Sequence, residues 1–309
     1  MAEVWDAVII GAGPAGLSAA LYLARFQRST LVLHDGASRA AHIPLSHNVP
    51  GYPEGVSGER LLATMTRHAA TYGAALVKAH VESASICDRS FASVADDGRR
   101  WLSRTLLLAT GVEMNEIELD AGDHDCAIAE GVVRYCPICD GYEHIGERIA
   151  VIGCDAQGAG EALFLRQYSE SVTLIPRRYA DLSPDTLQQL LQAGVTVIDA
   201  PVEQLVQGRA CVRLRLKGCA ETLRFDVVYP ALGLRPRAKL AVDLGLSPDG
   251  DGNLAAEAIF GTAVPGLYAA GDVVAGLDQI SVAMGHGAIA ATRAHNWLRD
   301  RDGQTLKGH

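Results

Sequence analysis

Gly11-Ala12-Gly13-Pro14-Ala15-Gly16 follows the apolar, β-branched run Val4–Ile10 and leads directly into an Ala/Leu-rich segment, residues 17–25. Strand, glycine turn and helix in that order suit a dinucleotide pyrophosphate. The glycines let the backbone come close, and the helix N-terminus presents unpaired N–H donors to the phosphates. Thr30–His34 reads as the next strand. At its end, where an acidic group should meet a ribose, His34-Asp35-Gly36 sets the carboxylate one residue later than usual, so His34 and Asp35 are both candidates for the role.

Working outward, a Pro- and Gly-rich loop (43–58) precedes an amphipathic helix at 59–72 and strands at 81–86, 91–95 and 104–109. The same order then restarts. Residues 148–152 read as a strand, 153–160 as a glycine-bearing turn, 161–168 as a helix and Val172–Ile175 as a strand. Ser183-Pro184 reads as an N-cap followed by Pro at the first helical position, opening a helix to 193. Further strands are expected at 195–198, 211–217 and 223–229.

Two such units predict an α/β chain with two Rossmann-like dinucleotide-binding domains. The C-terminal part holds Gly266-Leu267-Tyr268-Ala269-Ala270-Gly271-Asp272-Val273 and a helix at 281–298, and it starts no third unit. It is therefore placed with the first half, which makes the second domain an insertion: 1–113 with 243–309 around 114–242.

The composition agrees. A chain of 309 residues, 49% hydrophobic and 20% charged, is ordinary globular material and long enough for two cores. A net charge of -9 without a Lys/Arg-rich run argues against a nucleic-acid partner. No apolar run reaches membrane-spanning length, and the first residues lack the basic-then-apolar pattern of a secretory signal. Seven cysteines, an odd number, do not suggest a disulfide framework, so the expected location is cytoplasmic.

Cys136-Pro137-Ile138-Cys139-Asp140-Gly141-Tyr142 carries the chemistry. A C-x-x-C spacing allows either a small disulfide ring or two ligands to a metal. Zinc would need two further ligands, and the sequence has no second C-x-x-C or close His pair, so a redox pair is the preferred reading. Cys87, Cys126, Cys211 and Cys219 have no partner nearby in sequence, Cys154 is read as a packing residue, and His286 as a structural histidine.

C-x-x-C-D-G just before a second βαβ unit resembles the low-molecular-weight thioredoxin reductases, and the likeness runs through nearly the whole chain. Ala109-Thr110-Gly111 and Gly271-Asp272-Val273 are similar to the A-T-G and G-D segments of two-dinucleotide flavoproteins. Asn48-Val49-Pro50-Gly51 and Asp278-Gln279-Ile280 are similar to segments beside the flavin. The resemblance implies FAD held by Gly11, Gly13, Pro14, Ala15, Gly16, His34, Asp35, Gly36, Arg39, Asn48, Val81, Thr110, Gly111, Gly271, Asp272, Gln279 and Ile280. It implies that Cys139 exchanges electrons with the flavin, Cys136 attacks the substrate disulfide and Asp140 moves the proton. A homodimer and a thioredoxin-like substrate are implied too, although Pro137-Ile138 is stiffer and more apolar than the family's usual pair and leaves a small disulfide or dithiol substrate open.

The second turn departs from the family. Where an NADPH-using relative would read G-x-G-x-x-A, Gly153-Cys154-Asp155-Ala156-Gln157-Gly158 puts a carboxylate at the third position. At about 5 Å and an effective dielectric near 20 its repulsion of a pyrophosphate is roughly 3 kcal/mol, about a hundredfold in affinity. Pro176-Arg177-Arg178 is similar to the family's H-R-R with its first residue changed. A second nucleotide site at Gly153, Asp155, Arg177 and Arg178 would take NADPH or a second flavin. Such losses also occur in ferredoxin-linked relatives and in dithiol oxidases that use oxygen. Asp140, where that oxidase branch often has His, counts against the latter. A non-catalytic FAD-bound redox sensor is the remaining alternative.

Overall fold

The computed structural model describes residues 4–120, 124–153, 155–176, 182–259 and 261–305. Strand Val4–Ile10 lies parallel to Thr30–His34 on one side and to Arg100–Leu108 on the other. Ala75–Lys78 extends the sheet beyond Thr30–His34. Along its other edge the long strand Arg100–Leu108 serves two partners. Its first half pairs antiparallel with Ser90–Ala95, itself paired with Val81–Cys87, and its second half runs parallel to Leu267–Ala269. The returning C-terminal segment thus joins the first sheet, as the insertion reading requires. Helices Pro14–Arg25 and Ile280–Arg301 pack on each other through small residues, with Ala19, Ala290, Ala291 and Ala294 in the same core as Val8 and Leu107.

The second sheet is wholly parallel, with Ile149–Gly153 between Val172–Ile175 and Val227–Ala231 and Thr196–Val197 at its edge. Alternate residues of a strand point to opposite faces. Ile149, Val151 and Tyr229 pack in one core with Ala162, Leu165 and Leu190 of helices Asp155–Leu165 and Pro184–Gln192. Ala150, Ile152 and Val228 pack in another with Leu205, Val212 and Leu214 of an antiparallel sheet, Val202–Gly208, Cys211–Leu216 and Thr222–Phe225.

Three expectations need correction. The strand read at 223–229 is two strands in different sheets, parted at Asp226. There the carboxylate accepts from both the backbone N–H and the guanidinium of Arg148 and turns the corner. The second helix begins at Asp155, not 161, so Gly158 and Gly160 lie within it. Val202–Gly208 and Ala75–Lys78 are strands that the sequence reading passed over.

Two segments carry the chain between the halves, and they pair with each other: Val112–Met114 runs antiparallel to Leu234–Pro236. Each is entered from a glycine at positive φ, Gly111 at 67° and Gly233 at 81°. After the second crossing, Ala238, Leu240, Ala241 and Leu244 already belong to the first core, ahead of the expected return at 243. Among the described residues no helix is long and apolar enough to cross a membrane.

Candidate active site

The first glycine turn folds as tightly as its sequence suggests. A Cβ on Gly11 would fall 2.1 Å from the Ala109 carbonyl oxygen, and one on Gly16 would fall 1.9 Å from that of Gly11. Helix Pro14–Arg25 starts with Gly13 as N-cap, no capping side chain and no acidic residue in its first turn. Its leading N–H groups therefore face outward without a protein acceptor, an arrangement that favours an anion.

From this turn a cleft of about 340 Å³ runs to the redox pair. Gly11, Gly13, Pro14, Ala15, His34, Asp35, Gly36, Arg39, Asn48, Thr110, Gly111, Gly271, Asp272, Gln279 and Ile280 line it, together with Cys136, Cys139 and Asp140. Two residues expected there do not. Gly16 is spent on the close approach of helix to turn, and Val81 is buried in the first core at the start of its strand.

At the turn end, burial pulls the Asp35 carboxyl upward. The backbone N–H of Ala37, the imidazole of His80 and the charge of Arg237 outweigh that and hold it below the usual range. His34 is lowered, mainly by burial. An ionised Asp35 beside a neutral His34 suits the acceptor role for a ribose hydroxyl.

Midway, the Arg39 guanidinium sits between two carboxylates, 3.4 Å from Asp272 and 3.5 Å from Asp278. Burial raises Asp272, and burial together with the charge of Asp272 pushes Asp278 up to about 6. Asp272 is no helix cap. It follows the strand Leu267–Ala269, where the positive φ of Gly271 turns the chain into the cleft.

At the far end Cys136 and Cys139 form a disulfide with Cα atoms 5.3 Å apart. The pair opens the short helix Pro137–Asp140, with the Cys139 N–H donating to the Cys136 carbonyl at 2.9 Å. The Gln279 side-chain amide, at the entry of helix Ile280–Arg301, donates toward both sulfurs at 3.5 Å. Its oxygen accepts from Asn48 at 3.0 Å, and the Asn48 oxygen accepts from the buried Ser46 hydroxyl at 2.9 Å. A polar chain from the loop at 46–48 thus sets the amide proton against the sulfurs.

Asp140 is placed by its neighbours in the second half. The Tyr229 hydroxyl donates to one carboxylate oxygen at 2.8 Å, and the Arg134 guanidinium lies 3.4 Å from the other. Burial raises the Asp140 carboxyl above its ordinary range, partly offset by these two partners. A carboxyl whose proton affinity is raised, next in sequence to a redox sulfur, is suited to passing a proton.

At the second turn a Cβ on Gly153 would come 2.3 Å from the Ala231 carbonyl oxygen, so strand and turn remain close. One on Gly158 would approach the Gly153 backbone no nearer than 3.4 Å, leaving room for the alanine of the family pattern. Cys154, Arg177 and Arg178, and the side chain of Asp155, lie outside the described residues. Among the described residues, Cys87, Cys126, Cys211 and Cys219 form no disulfide. His286 packs near Asp272 with its imidazole lowered by burial and a buried Nδ1 that has no hydrogen-bond partner.

The sequence reading missed Ser38 and Arg237, which line the cleft, and the Arg134–Tyr229 pair. No motif marks Ser38 or Arg237. Arg134 had a signal: a cation two residues before a cysteine nucleophile.

The profile of the pyridine nucleotide-disulphide oxidoreductase family matches residues 5–287. The bifunctional thioredoxin reductase/thioredoxin of Mycobacterium leprae is 32% identical over 97% of this chain and 67% of its own length. The crystal structure of thioredoxin reductase from Streptococcus pyogenes superposes with a TM-score of 0.87 at 26% identity, covering 96% of this chain and 99% of that one. The crystal structure of HlmI does so at 0.88 and 28%, covering 98% and 96%. With its two-unit fold, glycine-turn cleft and facing disulfide, the chain belongs to the pyridine nucleotide-disulphide oxidoreductase family, as a flavin-dependent disulfide oxidoreductase of the thioredoxin reductase type.

Proposed function

We propose that this cleft binds FAD and that electrons pass between it and the Cys136–Cys139 pair, then on to a disulfide on a thioredoxin-like protein or a small molecule. One observation carries the reading: Gln279, from the segment closing the flavin-side sheet, reaches both sulfurs of the inserted half inside the cleft that the first glycine turn opens. The bound flavin supplies a two-electron, proton-coupled carrier. The chain supplies the rest. The bare N-terminus of helix Pro14–Arg25 takes the pyrophosphate and Asp35 a ribose hydroxyl. Asp272, kept beside Arg39, meets the ribityl hydroxyls. Cys139 lies on the flavin side and Cys136 attacks the substrate. Asp140 carries the proton, and the Gln279 amide stabilises whichever sulfur is anionic. The M. leprae relative, whose name joins the reductase to a thioredoxin, supports a thioredoxin-like substrate.

The division between the proposed domains runs through the paired segments Val112–Met114 and Leu234–Pro236. A cytoplasmic homodimer fits the family reading.

The electron donor is NADPH or, given Asp155 in the second turn, an alternative to it: ferredoxin, a second flavin, or a small dithiol oxidised at the expense of oxygen. Anaerobic titration of the purified protein, with flavin per chain counted first, separates these. Bleaching by one equivalent of NADPH supports the ordinary reductase, whereas two flavins per chain or indifference to NADPH supports the independent branch. In the second case Asp155→Gly should tighten NADPH by up to about a hundredfold, the repulsion removed. An unchanged affinity would show that this carboxylate is not what excludes the nucleotide. A protein that stays colourless after reconstitution with FAD, or a Cys136→Ser/Cys139→Ser double variant with full turnover, would end the whole reading.

A further inference from the structure

Asp140 is not held by its own segment. Val133 bridges in parallel to Val228, and the Arg134 N–H donates to the Val228 carbonyl at 2.9 Å, so the chain entering the C-x-x-C is pinned beside strand Val227–Ala231. That register brings Arg134 and Tyr229 to the two oxygens of one carboxylate: the phenol to Oδ1 at 2.8 Å, the guanidinium Nε to Oδ2 at 3.4 Å. Tyr229 is fully buried, and the buried Nε of Arg134 has no hydrogen bond.

An arginine cannot shed its charge, so a buried guanidinium depends on the carboxylate facing it. Burial acts the opposite way and favours the neutral acid. The other groups facing Asp140 are His144, whose imidazole pairs with Glu147 at 2.6 Å, and Glu143, whose charge disfavours ionisation. Asp140 therefore sits between opposed influences, and the two from outside its own segment both favour the anion. An ion pair serving only to brace the fold would have no need to line the cleft that holds the reacting sulfurs. Arg134, Asp140 and both cysteines line one cleft.

We propose that Arg134 and Tyr229 are positioning residues that set the protonation and orientation of Asp140 for thiol–disulfide exchange at Cys136–Cys139. The inference rests on the disulfide oxidoreductase reading above. In the reduced enzyme the Cys136 thiolate attacks a substrate disulfide, whose S–S bond breaks and whose distal sulfur leaves as thiolate. Cys139 gives its proton to the Asp140 carboxylate and attacks the Cys136 sulfur. The Cys136–Cys139 bond closes, and the second substrate thiolate departs. Two electrons pass from the dithiol to the substrate, and its two protons end on Asp140 and in water. A carboxylate lost to protonation cannot accept that proton, so the exchange has an inflection at the Asp140 pKa.

The test is anaerobic stopped-flow reaction of the reduced holoenzyme with the aromatic disulfide 5,5′-dithiobis(2-nitrobenzoate) across pH. The Asp140 inflection is the one lost in Asp140→Asn. Arg134→Gln should move it upward by about one pH unit, a tenfold change in proton affinity, with the rate recovering at high pH. Tyr229→Phe should move it upward by about threefold in proton affinity, and Arg134→Lys should return it most of the way. If Arg134→Gln yields no holoenzyme, Tyr229→Phe and Arg134→Lys still read the shift. A uniform loss of rate with the inflection unmoved would reduce the pair to a structural brace. No inflection lost in Asp140→Asn would overturn the proposal too. Undiminished reaction of the double cysteine-to-serine variant would instead overturn the reading it rests on.

Discussion

At the residue scale the site is a set of short-range decisions about charge. Gln279 is the simplest: one amide donates toward two sulfurs and accepts from Asn48. Replacing it by Ala removes the donor and leaves the Asn48 amide without its acceptor. At roughly 1 kcal/mol for such a bond, exchange between flavin and disulfide should slow about fivefold per bound flavin. Rapid-mixing absorbance would show it, and an unchanged rate would remove Gln279 from the machinery. Asp278 gives a pH signature. Burial and then the charge of Asp272 lift its folded-state pKa to about 6, above the unfolded value. Between those two values the folded chain binds more protons than the unfolded one. The contribution of Asp278 to stability is therefore present at low pH and lost as pH rises through about 6. In the apoprotein Asp278→Asn should equal the parent near pH 4 and exceed it by roughly 1–3 kcal/mol at pH 7, read from denaturant midpoints across pH. A constant difference across that range would mean that the carboxyl titrates normally.

At the element scale the two glycine turns differ in a way sequence only half disclosed. Gly16 stands where a Cβ would meet the Gly11 carbonyl, and a backbone atom can yield only if the whole helix moves. Gly16→Ala should cost about 1–3 kcal/mol and lower flavin content as purified. The matching Gly158→Ala, with ordinary clearance, should be neutral or gain about 0.5–1 kcal/mol from helix propensity. Thermal melts of both would decide, and equal losses would refute the contrast. The first turn was legible because a strand, three glycines and a helix follow one another with nothing between. The C-x-x-C was legible because two cysteines at that spacing have few uses. The partners of Asp140 were not, since Arg134 and Tyr229 meet only through the Val133–Val228 bridge, and nothing local in sequence announces a pairing between residues so far apart. The split of 223–229 at Asp226 was hidden too, because apolar residues on both sides of one aspartate look like a single strand.

At the scale of the whole molecule the halves meet through two crossing strands, each entered from a glycine at positive φ. In a side-chain-bearing residue that conformation costs about 1–2 kcal/mol, so Gly233→Ala should stiffen or displace the crossing. The expected outcome is slower turnover on a protein disulfide and little change on a small aromatic one, measured as paired steady-state rates. Equal slowing on both would place the damage at the chemistry instead of at the crossing. The closing segment has a further bearing. The sulfurs belong to the inserted stretch, yet the amide that touches them comes from position 279, 140 residues after Cys139 in the chain. A nascent chain has its cysteines well before it has the partner that steadies them. Until the segment at 279 docks, that dithiol lacks the amide that faces it, so maturation of this protein should be most vulnerable to mispaired sulfur in the interval before residue 279 has emerged and packed.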